Sequence, residues 1–257
     1  MYSLESLEIF RSFLEQYNTQ SMAIKERLIM FGFQQHEATK FAKYGAARRL
    51  SLLTNSVNLV FHHIPPSEQI IPQDSDRDSA NLAIHSFIIN SFGFLDNLAH
   101  TWNSEVIPRD KNENLFEKKY IGLQKKNKSF RKILPEVVRE ILRKHDNLFN
   151  DASNIRDHLA HKLPPYVVPF ILPAENEKRY KKLDQLKLAA LRAGDVERHT
   201  ELEAEQKSLC LFHPIISLDV QNEKTYIFHE LIRQLFLALI EIADVVLVEL
   251  KKLQHQR

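Results

Sequence analysis

YIFHELIRQLFLALIEIADVVLVEL, residues 226–250, is the most apolar run of the chain, and its reading decides the fold class. Glu230, Arg233, Glu241, Asp244 and Glu249 interrupt it, so a membrane span here would have to bury several charges. The alternative is a water-soluble protein in which residues 225–252 form a helix that is apolar over most of its circumference. Such a helix belongs at the centre of a helical bundle.

The rest of the chain supports that reading. Its 257 residues are enough to bury a core without disulfides or metals, and only five glycines are spread through them, which disfavours loop-rich and all-β architectures. Leu4, Leu7, Phe10 and Leu14 recur every three or four positions and predict a short packing helix over residues 3–17. Ala38, Phe41, Ala42, Ala46, Leu50, Leu53, Val57 and Val60 predict a long helix over 36–63, ended by Ile64-Pro65-Pro66. A third helix, capped by Asp78 or Ser79, runs to about Ser104 with Phe87, Phe94, Leu95, Leu98 and Trp102 on its apolar stripe. Residues 105–127 read as a polar, basic connector with some helix. Helices follow over 134–144, with Pro135 in the first turn, and over 146–161, before Pro164-Pro165.

Residues 166–172 and 211–218 are extended and β-branched, and can pair as two short strands. Between them a charged stretch reads as a helical hairpin turning at Gly194-Asp195, with Leu183, Leu186, Leu188 and Leu191 facing Val196, Leu202 and Ala204. The expected fold is therefore all-α: an up-and-down helical bundle with a small β-hairpin-like element and an inserted charged helical hairpin. As domains, 1–257 forms one helical unit, 36–165 with 222–253 its bundle, and 174–209 the insertion. The acidic start lacks the basic and apolar segments of a signal peptide, and the single cysteine, Cys210, reads as a small buried residue, so a cytoplasmic location is expected.

Chemistry concentrates in Arg156-Asp157-His158-Leu159-Ala160-His161. A guanidinium neutralises a phosphate bidentately, and an imidazole exchanges protons near neutrality. Leu148, Ala152, Ile155 and Leu159 form the stripe that docks this helix. Asp157 and His161, four apart, can touch, whereas Arg156 points about 140° away from His161 around the axis. One straight helix cannot aim both at one atom, so the site calls for a bent helix or, preferably, two copies meeting across a two-fold axis. Asn90, Gly93, Asn97 and His100 share one side of the preceding long helix and can face this motif. His158 and His161 do not amount to a metal site without His-Glu-x-x-His or Glu-x-x-His spacing, and neither metal nor cofactor is expected. No phosphate-binding glycine loop or nucleophile elbow occurs.

A helical bundle with Arg156, polar Asp157, three further residues and His161 near the end of a late helix resembles the HEPN superfamily, over residues 36–165 and the final helix. The resemblance implies a metal-independent endoribonuclease, often a toxin or anti-phage effector, whose homodimer brings two motifs into one cleft. It implies that His161 acts as base on the ribose 2′-OH or as acid for the leaving oxygen, that Arg156 stabilises the phosphorane, and that Asp157 orients His161. Substrate contacts are expected from Asn97, His100 and His158, and from Lys125, Lys126, Lys128 and Arg131 with Lys132 as a phosphate-tracking patch. The implied partners are RNA, a second copy of the chain and an antitoxin or other protein. The competing readings are a non-catalytic HEPN-like module that binds RNA, nucleotide or a protein partner, and a small-ligand-binding helical protein.

Overall fold

The computed structural model describes residues 2–106, 117–218 and 224–256. Helix α1, Leu4–Met30, is capped by Ser3, whose hydroxyl accepts from the Ser6 amide. It runs well past the 3–17 expected, because Tyr17, Ser21, Ile24 and Leu28 continue the buried stripe through a sequence that looks polar. The long helix expected over 36–63 comprises α2, His36–Thr39, a π-helical segment, Lys40–Ala46, and α3, Ala47–His63, and it ends at Ile64. Helix α4, Asp74–Val106, begins ahead of the expected cap, with Asp74 and Asp76 in its first turn favouring the positive end of the helix dipole.

A short 3-10 turn, Lys118–Tyr120, and helix α5, Lys128–Lys132, lead to helix α6, Glu136–His161. Of the connector expected over 105–127, residues 107–116 lie outside those described, as does the bundle boundary placed at 222. The two helices expected over 134–144 and 146–161 are one, for a definite reason. Asp146 is buried within α6 and pairs bidentately with Arg131, at 2.7 and 2.9 Å. The same guanidinium donates to the Leu123 carbonyl, so this ion pair pins the lysine-bearing segment after Leu123 to α6.

Strand β1, Tyr166–Val167, pairs antiparallel with β2, Ile215–Ser217, as the extended runs suggest. A third strand, β3, Thr225–Ile227, then pairs with β2. Residues expected to open the last helix therefore lie in the sheet, and α9 spans Phe228–His255. Helices α7, Glu177–Arg192, and α8, Val196–Ser208, form the expected hairpin around Gly194, whose φ of +73° suits a residue without Cβ. Its seam is narrower than predicted. Leu183, Ala190, Leu202 and Leu209 form a small core separate from the bundle's, while Leu186, Leu188, Leu191 and Val196 are exposed.

The main helices alternate in direction. Ser21 bonds Thr54, so α1 and α3 are antiparallel given the Phe10–Phe61 contact at the other end. Ser56 bonds Ser86 and Phe41 stacks on His100, which makes α3 and α4 antiparallel. His145 on α6 meets Glu241 on α9, and Asp151 meets Lys224 just ahead of α9, so these two also oppose. Helix α9 is central as expected, with Ile232, Leu235, Phe236, Leu239 and Ile242 fully buried. It shares the centre with α4, which packs on α3, α6, α9 and β1. At one end the buried Glu105 carboxylate accepts from the Gln34 and Gln35 amides and from the Gln254 side chain, joining α4 to the start of α2 and the end of α9. At the other end fully buried His229 donates from Nε2 to the Ile64 carbonyl and accepts at Nδ1 from the Tyr2 hydroxyl. No described helix is long and apolar enough to cross a membrane.

Two outcomes are expected. Replacing Arg131 by Ala leaves Asp146 buried and unpaired, and should cost about 3 kcal/mol in denaturant unfolding; exchanging both residues for apolar ones should restore most of the loss. Burial pushes His229 down to about 3, against the opposing effect of the Ile64 hydrogen bond. The stability due to its neutral form is therefore complete above the unfolded value of about 6.5 and declines as pH falls towards 3. Urea titrations at pH 7 and pH 5 should show a loss of about 2 kcal/mol that His229→Gln removes from the pH dependence.

Candidate nucleic-acid and catalytic site

Helix α6 stays regular through His161, and Lys162, at φ −135° and ψ −161°, leaves it extended while its amide donates to the His158 carbonyl. With the helix unbroken to its end, Arg156 and His161 diverge by about 140° around its axis within one chain. His161 and Asp157 are exposed, and no hydrogen bond or ion pair joins them. His158 is half-buried, with Nδ1 shielded from solvent and without a hydrogen-bond partner.

Arg156 turns towards α4. Its guanidinium carbon lies 5.1 Å from the centre of the Phe92 ring, and no carboxylate is within ion-pair distance among the described residues. One turn further along α4 sits Asp96, which Arg156 influences electrostatically. Burial raises the Asp96 carboxyl above its ordinary value, although Arg156, the Gln124 amide, His100 and Lys126 all act to lower it. Burial likewise lowers His100, opposed by Asp96 and assisted by Lys118. Arg156, His100 and Lys126, singled out separately in the sequence, therefore share the electrostatic environment of Asp96, which sequence reasoning did not place in the site.

The polar face of α4 meets a different neighbour from the one expected. Asn90 accepts from Arg49 at 3.0 Å, Asn97 lies against Gly45, and His100 stacks on Phe41 with ring centres 4.6 Å apart. These residues pack against the helix over 36–63, and it is Phe92, on the adjoining side of α4, that meets Arg156, while Asp96 feels its charge. His85 completes that side, its Nε2–H donating to the Pro165 carbonyl at 2.8 Å. Burial lowers His85, with the Pro165 bond opposing, so the neutral imidazole anchors the segment that follows the motif.

Lys125, Lys126 and Lys128 are exposed and remain available to a polyanion. Arg131, expected beside them, is only 13% exposed and is held by Asp146 and Leu123, so it positions the patch from beneath rather than lining it. Sequence reasoning missed Lys40, Tyr44, Arg48 and Arg49, which line a cleft of about 450 Å³ beside Asn90 and Asn97. The available signal was a pair of mid-helix glycines, Gly45 and Gly93, each of which lets an opposing side chain approach closely. Among the described residues, no group of three or more His, Cys, Asp or Glu side chains could hold a metal ion.

Comparison with protein-family models, with curated proteins and with solved structures gives no match, so the functional reading rests on the chemistry of these residues.

Proposed function

We propose that the chain is a metal-independent endoribonuclease of HEPN type, acting as a homodimer in which Arg156 of one copy and His161 of the other serve one cleft. The observation that carries this reading is the state of Arg156. It is half-buried against Phe92, free of an ion-paired carboxylate among the described residues, and five residues before exposed His161 on an unbroken helix. A guanidinium used only to stabilise the fold would be expected to hold a carboxylate, as Arg131 holds Asp146.

The chemistry follows from those groups. His161 takes the proton of a ribose 2′-OH, or protonates the leaving 5′-oxygen, while Arg156 balances the charge that develops on the phosphorane. The 2′-oxygen forms a bond to phosphorus as the bond to the 5′-oxygen breaks, which leaves a 2′,3′-cyclic phosphate and a 5′-hydroxyl. DNA lacks the nucleophile and is not cut. Asp157, four residues before His161, is placed to orient the imidazole once RNA or the second copy reorders the exposed side chains. A toxin or anti-phage role, with an antitoxin as partner, extends the same reading.

Purified protein in excess chelator should convert single-stranded RNA to fragments with 2′,3′-cyclic phosphate ends. His161→Ala should lower the rate by about 10²–10⁴-fold. Intact RNA across several substrates would instead favour a non-catalytic binding module.

Arg156→Lys keeps the charge and loses the planar fork, and should lower kcat with little change in binding. Equal activity in the two proteins would remove Arg156 from the reaction.

A further inference from the structure

The cleft over the π-helical segment carries positive charge from three side chains and, among the described residues, no carboxylate on its walls. Lys40, Arg48 and Arg49 line it together with Phe41 and Tyr44, and its volume of about 450 Å³ falls in the range of small-ligand sites, ~300–1,000 Å³. Lys40 has Glu37 at 4.0 Å, the limit of an ion pair, while Arg48 and Arg49 have no carboxylate within that distance among the described residues.

Arg49 is held without being neutralised. Its Nη1 donates to Oδ1 of Asn90, a residue only 8% exposed, whose own amide donates to the Ser86 carbonyl at 2.8 Å. The guanidinium rests where a side chain of Gly93 would be, since a Cβ there would lie 2.3 Å from Cζ of Arg49. Neutral acceptors orient the group and leave its charge for an anion. Tyr44 is 62% exposed with Arg48 over one face at 5.1 Å, so the opposite face can receive a flat ring. The π-helical hydrogen-bonding of Lys40–Ala46, with the Ala47 amide bonded to the Ala42 carbonyl, is the kind of helix irregularity that recurs at functional sites.

One residue of the cleft, Arg49, rests on α4 beside the residue that holds Arg156. Phe92, which carries Arg156, and Gly93, which carries Arg49, are consecutive on α4, about 100° and 1.5 Å apart along the helix. Arg49 and Arg156 therefore rest on consecutive residues of α4, on faces about 100° apart.

We propose that this cleft binds a nucleoside phosphate unit, with the phosphate held by Arg48, Arg49 and Lys40 and the base stacked on Tyr44. In an RNA strand it would hold a nucleotide next to the one at Arg156. The assignment of the ligand to an RNA strand rests on the nuclease reading above; the phosphate-and-base chemistry of the cleft does not.

Binding is best measured on full-length His161→Ala protein, so that cleavage does not intervene. The probes are a fluorescent single-stranded oligouridylate, and separately uridine monophosphate and inorganic phosphate. Arg49→Gln, Arg48→Gln and Gly93→Ala, each added to this background, should weaken oligonucleotide binding about tenfold to a hundredfold. Gly93→Ala is the sharpest of these, because the methyl group displaces Arg49 while alanine favours the helix, so thermal stability should hold as affinity falls.

If the monophosphate competes fully, the cleft takes a free nucleotide; if only the oligonucleotide binds tightly, it takes a strand; either result supports the site. Unchanged affinity in all three variants, or inorganic phosphate competing as well as the monophosphate, overturns it. Wild-type protein that fails to cut RNA yet binds it through Arg49 sinks the nuclease reading alone. Cleavage with KM unmoved by Arg49→Gln sinks the cleft alone.

Discussion

Everything at the candidate site depends on how α4 is buried. Packed on α3, α6 and α9, this helix leaves a narrow polar strip that includes Gly93 and Asp96, and the missing side chain at Gly93 allows Arg49 to lie on its backbone. Arg156 reaches the same turn from α6 through the Phe92 ring. Two cations are thereby held against α4 by a neutral amide and an aromatic face, in place of carboxylates. Neither charge is neutralised by its holder, so each is left for an anionic ligand. Burial of Asp96 adds to this, because it disfavours the charged form of a carboxylate that Arg156 influences.

The rest of the fold keeps that strip in register. Glu105 ties one end of α4 to the start of α2 and the end of α9, and the Arg131–Asp146 pair fixes the lysine-bearing segment against α6. A net charge of +2 provides no long-range field to draw in nucleic acid, so any such contact depends on these local cations and should weaken steeply with salt.

Much of the bundle was legible in the sequence because helical periodicity is a local property. The run over 36–63, most of that over 225–252, the proline stops and the Gly194 turn report their own positions. Where reading failed, a distant residue decided the matter. Asp146 looks like a break between helices until Arg131 neutralises it, the second half of α1 looks polar until Ser21 finds Thr54, and Thr225–Ile227 looks helical until β2 supplies a partner. The motif on α6 was visible because its residues are close in sequence. The relation of Arg49 and Asp96 to Arg156 was not, since it comes only from the packing of three helices, and the π-helical register that sets the direction of Tyr44 and Arg48 has no simple sequence signature.

The unbroken end of α6 sets Arg156 and His161 about 140° apart, and the proposal answers this by drawing them from different copies. Co-expression of Arg156→Ala chains with His161→Ala chains tests this directly. Random pairing makes half of the dimers mixed, each with one complete site, so RNA cleavage should return to roughly a quarter of the wild-type rate although neither variant is active alone. A mixture as inactive as its components, with mixed dimers demonstrably present, would contradict the shared site.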